Sequence, residues 1–353
     1  MSGQLSPVIV PFFISHRGCP HRCVYCDQTS LNGNGGALPS PAEIGATVRR
    51  YRESSRRRQV EVAFYGGTFT ALPTADQKAL LDAVQPFIRC GEVSGIRLST
   101  RPDALDDPCA ALLAARGVTL VELGAQSLDD EVLRRTERGY GSGDIVAGVG
   151  TLRRNGLKVG LQLMQGLPGD TPERSIVSCD AALSLQPDCL RLYPTVVLQG
   201  TRLAALYAAG TYRPFALAEA VSLCKRLLLA ALRRGVPVIR LGVQANDALQ
   251  TGSAIVAGPY HPAFRQLVEA EICFDALSRQ LDAWGGAGQV TIGCAPQAVS
   301  AVVGQKRGNL ERLRQRYGGM TVDIRQMPSL HRRELLLEAA GFRRTIDMIH
   351  DVH

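Results

Sequence analysis

The stretch GCPHRCVYCDQ, residues 18–28, places three cysteines within eight positions: Cys19, Cys23 and Cys26. It directly follows PVIVPFFI, residues 7–14, a short apolar run that predicts a β-strand. Three thiols in one polar loop can pack in a core, cross-link or hold a metal. The rest of the chain distinguishes these three possibilities.

The length and composition predict a large hydrophobic core and no disulfide framework. The chain has 353 residues, of which 45% are hydrophobic, enough for one large domain and a small one. Its first residues lack the positive-then-apolar pattern of a secretion signal, and no apolar run reaches the roughly 18–20 residues that span a bilayer. We therefore expect a cytoplasmic protein without a membrane segment, whose other cysteines are buried free thiols. The net charge of +8 is compatible with an anionic partner such as nucleic acid.

Strand-like and helix-like runs alternate six times, which is typical of parallel βα units. Six units fit either an open doubly wound sheet or an incomplete barrel, and we predict a partial (β/α)6 barrel. The predicted strands are 7–14, 59–65, 95–99, 118–124, 157–163 and 188–193. The predicted helices are 40–55, 74–88, 105–116, 129–154 in two pieces, and 171–185. In either fold, ligands bind at the carboxyl ends of the strands, so the loops that follow them are the candidate site.

The cysteine loop occupies the first of those positions. His16 or His21 could complete a tetrahedral zinc site, whereas a cubane cluster held by three cysteines keeps its fourth iron open. The pattern C-x3-C-x2-C after a first strand, with Tyr25 just before the last cysteine, resembles the motif of the radical S-adenosylmethionine (SAM) enzymes. The resemblance implies a [4Fe–4S] cluster and SAM as cofactors, with a ferredoxin or flavodoxin as electron donor. The cluster then breaks SAM to a 5′-deoxyadenosyl radical that must be sheltered from water.

Residues after the other strands match SAM contacts of this superfamily. YGGT (65–68) resembles its glycine-glycine motif, where a close backbone approach to the methionine ammonium requires glycine. We expect SAM contacts from Tyr25, Gly66, Gly67, Thr68, Ser99, Arg101, Glu122 and Gln126. We expect Tyr193 and Gln162 near the reacting centre.

Longer segments resemble the radical SAM domain of the Elongator catalytic subunit, which modifies the wobble uridine of tRNA. They include VEVAFYGGTFTALP, STRPDAL and LRLYPTVVLQGTRLAALYAAGTYRPF, and the resemblance covers about residues 8–245. It implies an RNA substrate, tRNA above all. Two features differ: that family spaces its first two cysteines more widely, and nothing after residue 250 resembles its acetyltransferase domain.

The segment AVVGQKRGNLERLRQRYGGMTVDI (301–324) resembles the core of a KH nucleic-acid-binding module, in which a loop between two helices clamps phosphates. Arg307 replaces the last glycine of the usual G-x-x-G loop. The expected RNA contacts are Gly304, Lys306, Arg307 and Arg312. The predicted domains are a radical SAM barrel (1–245), a connecting helical segment (246–284), a KH-like module (285–330) and a helical tail (331–353).

Two other functions remain open at this point. A radical SAM enzyme that oxidises a small molecule, such as a porphyrinogen, would share the barrel and use the basic tail only for packing. A non-enzymatic RNA-binding protein would keep the cluster as a structural or redox-sensing group.

Overall fold

A computed structural model describes residues 7–27, 37–55, 59–243, 254–285 and 288–352. The chain divides into two units, which are described separately. The first unit comprises Met1–Phe215 with Gln244–Gly258, and the second comprises Ala216–Val243 with Pro259–His353. The domain boundary predicted at 245 lies outside the described residues.

Six parallel strands form the sheet of the first unit. They pair in the order β1-β2-β3-β4-β5-β6, each with its sequence neighbour. The strands are β1 (Val8–Phe13), β2 (Val60–Tyr65), β3 (Gly95–Thr100), β4 (Val118–Gln126), β5 (Lys158–Gln165) and β6 (Cys189–Pro194). A doubly wound sheet reverses its strand order at a switch point. The unbroken order of these six strands is that of a partial barrel, as the sequence predicts.

Helices connect successive strands of this sheet. They are α1 (Pro41–Ser54), α2 (Thr74–Asp82), α3 (Gln85–Arg89), α4 (Asp107–Ala115), α5 (Asp130–Arg135), α6 (Ser142–Arg154), α7 (Pro172–Ser184) and α8 (Arg202–Ala208). Two of them begin at well-defined caps: Ser40 and Glu43 form a reciprocal capping box at α1, and Thr171 caps α7 ahead of a proline. The predicted helix 74–88 is two helices. A short pair, β7 (Val197–Leu198) and β9 (Ile255–Ala257), completes the unit.

The two faces of the sheet differ in polarity, and the register shows this directly. Neighbouring positions on one face are fully buried and apolar: Phe64, Leu98, Val121 and Val159. One position further along the strands, the opposite face presents Ser99, Glu122, Gly160 and Cys189. Since side chains alternate across a strand, the apolar face packs on the helices and the polar face is left for a ligand.

The second unit contains a four-stranded sheet in the order β11-β10-β12-β13. Its elements are α9 (Leu217–Arg233), β8 (Val238–Leu241), α10 (Phe264–Trp284), β10 (Gln289–Cys294), α11 (Val299–Val303), α12 (Gly308–Arg316), β11 (Thr321–Gln326), β12 (Glu334–Ala339) and β13 (Phe342–Asp347). A strand, a helix, a loop, a helix and a strand follow one another over residues 289–326, and the two strands, β10 and β11, pair in parallel. Among the described residues, no helix is both long enough and apolar enough to cross a bilayer.

The predicted helical tail, residues 331–353, is wrong. Residues 334–347 form the hairpin β12–β13, with β12 also antiparallel to β10. Leu, Glu and Ala favour helices in isolation, but pairing with β10 buries Leu335 and Leu337 completely. Gly341, at φ +71°, supplies the turn between the two strands. That glycine, between ELLLEA and FRRTID, was the available sequence signal.

Candidate active site at the carboxyl ends of the strands

The cysteine loop packs backbone to backbone on the glycine loop that follows β2. The amide of His16 donates to Gly66 O at 2.9 Å, and the amide of Thr68 donates to Arg17 O at 2.8 Å. A Cβ on Gly67 would lie 2.5 Å from the carbonyl oxygens of both Ile14 and Arg17. Gly67 is therefore required for the cysteine loop to lie where it does, quite apart from any contact with SAM.

The three cysteines are free thiols on this loop. Cys23 is buried and Cys19 and Cys26 are half-buried. The Cys19 Sγ and Thr68 Oγ1 atoms are 3.3 Å apart, so Thr68 reaches the first cysteine directly. The loop that carries the three cysteines thus follows β1 and packs on the glycine loop, and their predicted role as cluster ligands stays a prediction.

The two histidines near the cysteine loop have other partners. Within the residues described, no group of three His, Cys, Asp or Glu side chains is arranged to hold a metal ion. The His21 ring Nε2 donates to Glu137 O at 2.6 Å, and His16 lies 3.9 Å from Asp27. Burial, with the charge of Arg22, lowers the pKa of His16. A cluster draws its cysteines to separate irons, so it does not require them to meet at one point.

A buried arginine contacts the second cysteine. Arg138 Nη1 donates to Cys23 Sγ at 2.9 Å and to the Tyr25 hydroxyl at 3.0 Å. Its Nε donates to the Tyr140 hydroxyl at 2.7 Å, and its Nη2 donates to Gly124 O at 2.9 Å. Tyr25 is thus enclosed, and burial raises its pKa well above the ordinary value. The predicted role of Tyr25 toward SAM stays a prediction, but its hydroxyl is bonded to Arg138.

Glu122 lies at the centre of a buried charge network on the polar face of the sheet. It is 3% exposed, accepts a hydrogen bond from the Tyr65 hydroxyl at 2.9 Å, and pairs with Arg191 and Arg97. The Arg191 Nη2 donates to Oε1 at 3.2 Å, while its Nε contacts Oε2 at 2.5 Å without hydrogen-bond alignment. Arg97 also pairs with Glu61. Because the Glu122 carboxylate already has three partners, SAM would have to share it with them, and the predicted SAM contact stays a prediction.

The network changes the chemistry of its neighbours. Burial, together with the Glu122 charge, raises the pKa of the Tyr65 hydroxyl, and the same two causes raise the pKa of Cys189 to about 12. The Arg191 guanidinium lies 4.6 Å from the centre of the Tyr65 ring, a cation–π contact. Because their pKa values are raised, the Tyr65 hydroxyl and the Cys189 thiol stay protonated at neutral pH.

The other predicted contacts lie on the same face or directly after the strands. Gln162 Nε2 donates to Gln126 Oε1 at 3.1 Å, and Gln126 adopts φ +66° at the end of β4, a conformation that is costly for a residue other than glycine. Tyr193 accepts a weak hydrogen bond of 3.4 Å from Arg191. Ser99 is half-buried beside Glu122 in the register. The structure thus places these residues on the polar face of the barrel sheet or at the carboxyl ends of its strands.

Arg101 is engaged by a neighbouring carboxylate. It makes a bidentate contact with Asp103 at 2.9 and 2.7 Å, and its Nη2 donates to Arg138 O at 2.6 Å. Its guanidinium lies 5.0 Å from the Tyr140 ring centre. A SAM carboxylate would have to share Arg101 with Asp103, so the predicted contact remains a prediction.

A cavity of about 200 Å³ opens beside the loop after β5. Its lining includes residues 166–170 and four cationic or aromatic residues: Arg135, Arg213, Tyr212 and Phe215. The Tyr212 hydroxyl donates to Gly166 O at 2.6 Å, which ties the two walls together. Leu167 of this loop packs in one apolar cluster with Cys23 and Tyr25.

Sequence reasoning missed Tyr65, Arg97, Arg191 and Arg138 as site residues. For the first three a signal existed, since VEVAFY, GIRLST and LRLY each place a charge or hydroxyl at alternate positions of a core strand. Arg138 carries no such signal. It follows a helix end, where Glu137 adopts φ +55° and the Arg138 amide donates to Leu133 O.

In the second unit, the predicted RNA contacts separate into two groups. Lys306 and Arg307 are exposed in the loop between α11 and α12, both at positive φ, and Gly304 begins that loop at φ +73°. Arg312 instead pairs with Glu271 and lies 3.6 Å from the Phe274 ring centre. Its charge is therefore used within the unit.

Comparison with known proteins identifies the class. The sequence profile of the Radical SAM superfamily matches residues 13–177, and that of the Radical_SAM C-terminal domain matches residues 187–273. The chain carries both domains and belongs to the radical SAM superfamily. Enzymes of this family use a [4Fe–4S] cluster and SAM.

Its relatives are Elongator-like. A tRNA uridine(34) acetyltransferase of Dehalococcoides mccartyi (strain CBDB1) is 28% identical over 66% of this chain and 60% of its own length. Human Elongator complex protein 3 is 30% identical over 60% of this chain and 47% of its own length. The chain thus spans only about half to three-fifths of these relatives. The solved structure of archaeal Methanocaldococcus infernus Elp3 with its N-terminus deleted superposes with a TM-score of 0.59 at 22% identity, over 79% of this chain and 63% of that one. This likeness confirms the predicted fold.

The residues present fit the cofactors of the family. Three free cysteines share one loop, and the cation of Arg138 already touches the sulfur of one of them. Within the part of the chain that the structure describes, this buried cation has no carboxylate partner, which suits an anionic cluster held by thiolates. When bound, the cluster and SAM supply the 5′-deoxyadenosyl radical that this class of enzyme uses for hydrogen abstraction.

Proposed function

We propose that this protein cleaves SAM reductively and uses the resulting radical to modify a base of RNA, with tRNA as the substrate. The observation that carries the proposal is the position of the cysteine loop, fixed on the glycine loop at the carboxyl ends of the strands and beside a polar barrel interior. The names of the relatives, which include tRNA uridine(34) acetyltransferases, support tRNA over other substrates.

Within this proposal, the residues have distinct tasks. Cys19, Cys23 and Cys26 hold the cluster, and Gly66, Gly67, Thr68, Ser99 and Gln126 line the adjacent SAM position. Arg101 binds the SAM carboxylate in exchange for Asp103. Tyr193 and Gln162 orient the substrate, because both carry polar groups on the face of the sheet that the helices leave open. Glu122 fixes Arg191 and Tyr65, and so holds the shape of the interior.

The cavity beside the β5 loop is our candidate entry point for the RNA. Single-stranded RNA is recognised by stacking of bases on aromatic side chains and by cationic contacts to phosphates. Tyr212 and Phe215 supply rings, and Arg135 and Arg213 supply cations around one opening. An unpaired anticodon nucleotide matches this combination.

The KH-like loop of the second unit is a proposed additional RNA contact. Lys306 and Arg307 are exposed side by side between α11 and α12, where a phosphate contact needs them. An electron donor such as a ferredoxin or flavodoxin completes the reaction scheme.

Mass spectrometry of tRNA nucleosides tests the substrate proposal. We expect one modified uridine to disappear from tRNA of cells that lack this chain, and to return with the wild-type gene but not with Cys26→Ser. An unchanged nucleoside profile would refute the tRNA substrate. If the profile is unchanged and a small metabolite drives SAM cleavage instead, the small-molecule function replaces it.

A further inference from the structure

Arg138 is a buried cation that hydrogen-bonds a cysteine sulfur. Its side chain comes off the end of α5, where Glu137 at φ +55° turns the chain inward. Arg138 is 6% exposed, and its Nη1 lies 2.9 Å from Cys23 Sγ. The same Nη1 donates to the Tyr25 hydroxyl at 3.0 Å, while Nε donates to the Tyr140 hydroxyl at 2.7 Å and Nη2 to Gly124 O at 2.9 Å. The guanidinium is thus fixed in position by four separate partners.

The partners of Arg138 do not neutralise it. Among the described residues, its hydrogen bonds go to one thiol, two phenols and a carbonyl, and it forms no ion pair with a carboxylate. A buried, unneutralised cation is costly unless an anion is bound nearby. The nearest position for that anion is the sulfur of Cys23.

We propose that Arg138 is a positioning residue whose charge raises the reduction potential of the [4Fe–4S] cluster through its hydrogen bond to Cys23. The oxidised cluster with three thiolates is already anionic, and reduction adds one more negative charge. A fixed cation beside one ligating sulfur stabilises the reduced form more than the oxidised form, because its attraction grows with the cluster's negative charge. Arg138 therefore makes the electron transfer that precedes SAM cleavage easier.

The neighbouring loops explain why this cation stays in place. The His21 ring holds Glu137 O at 2.6 Å, and the amide of Val24 reaches Thr136 O at 3.4 Å. Arg101 holds the Arg138 carbonyl itself. The cysteine loop and the end of α5 are thus tied together on both sides of Arg138, so the N–H···S contact does not depend on a flexible side chain alone.

A redox titration followed by electron paramagnetic resonance tests this proposal on anaerobically reconstituted protein without SAM or RNA. In Arg138→Gln and Arg138→Met, we expect the one-electron reduction equilibrium to fall at least about tenfold, a midpoint lower by about 59 mV. Arg138→Lys keeps the charge and should stay close to the wild type. Gln is polar and Met is apolar, so the measurement can use either neutral variant if the other does not fold and bind the cluster.

Arg202→Gln is the matched control. Arg202 pairs with Glu137, the neighbour of Arg138 in sequence, but its side chain is 67% exposed, so water and salt screen its charge. We expect no shift in this control. Neutral variants that hold the cluster at the wild-type potential would overturn the proposal, as would Arg138→Lys falling as far as Arg138→Gln. The readout needs no turnover, so its failure would leave the proposed RNA substrate untouched.

Discussion

Removing the charge of Glu122 should destabilise the first unit by a predictable amount. Glu122→Gln keeps the size of the side chain and an acceptor for the Tyr65 hydroxyl, but it removes the anion between two arginines. Arg97 retains Glu61, whereas Glu122 is the one carboxylate partner of Arg191 within the described residues. Breaking a buried pair by removing one partner costs about 3–5 kcal/mol. The cation–π contact of Arg191 with Tyr65 offsets part of this, so we take about 3 kcal/mol.

That free energy corresponds to a large shift in the melting temperature. For a domain of about 150–250 residues, 1 kcal/mol shifts Tm by about 2–4 °C, so Glu122→Gln should lower Tm by about 6–12 °C. Circular dichroism of the cluster-free protein measures the transition. Trp284, the single tryptophan, lies in the second unit, so its fluorescence follows that unit separately.

Two variants make this prediction refutable. Glu131 also pairs with two arginines, Arg134 and Arg135, but on the surface, so Glu131→Gln should change Tm very little. Adding Arg191→Met to Glu122→Gln removes the unpaired cation and should recover at least half of the lost stability. If Glu122→Gln has the same Tm as Glu131→Gln, or if the double variant has a lower Tm than Glu122→Gln alone, the buried network does not stabilise the barrel as argued.

Three further predictions follow from separate parts of the chain. Gly67→Ala should cost about 1–3 kcal/mol and lower the bound iron, because its Cβ has no room. The control Gly143→Ala meets no atom within 4 Å and lies in a helix, so it should leave the bound iron unchanged and should not lower the melting temperature. Iron analysis and thermal melts measure both variants. The double variant Lys306→Ala, Arg307→Ala should reduce the magnitude of the slope of log affinity for tRNA against log salt concentration by about 2. Filter binding measures this slope. An unchanged slope would exclude this loop from the RNA interface. Burial raises the pKa of the Cys109 thiol to about 11, so little thiolate is present at pH 8. Its rate of alkylation, followed by mass spectrometry, should therefore still rise between pH 9 and pH 10.5. A rate that reaches its plateau at pH 9 would contradict the raised pKa.

The sequence predicts this fold well where local pattern and tertiary structure agree. All six barrel strands lie within two residues of their predicted bounds, since their apolar runs end in loops rich in glycine, proline or polar residues. The cysteine loop was identifiable because its spacing is specific. The hairpin β12–β13 was not, because Leu, Glu and Ala favour a helix until β10 offers a partner strand.

The interior of the site was predictable only in part. Glu122 was predicted from its place near the end of a predicted strand, but its partners Arg97 and Arg191 were not identified. Arg138 lies 115 positions from Cys23 in sequence, and no local pattern joins two such residues. Contacts of this kind depend on the closure of the barrel, which one sequence does not reveal.

Formation of 5′-deoxyadenosine tests the central claim most directly. Reconstituted, reduced protein should convert SAM to 5′-deoxyadenosine under anaerobic conditions, and undermodified tRNA should accelerate the conversion. Cys26→Ser, which lacks one cluster ligand, should form none above background. Wild-type protein that carries a full cluster and yields no 5′-deoxyadenosine, with tRNA or without it, would contradict the account and leave the cluster as a structural or redox-sensing group.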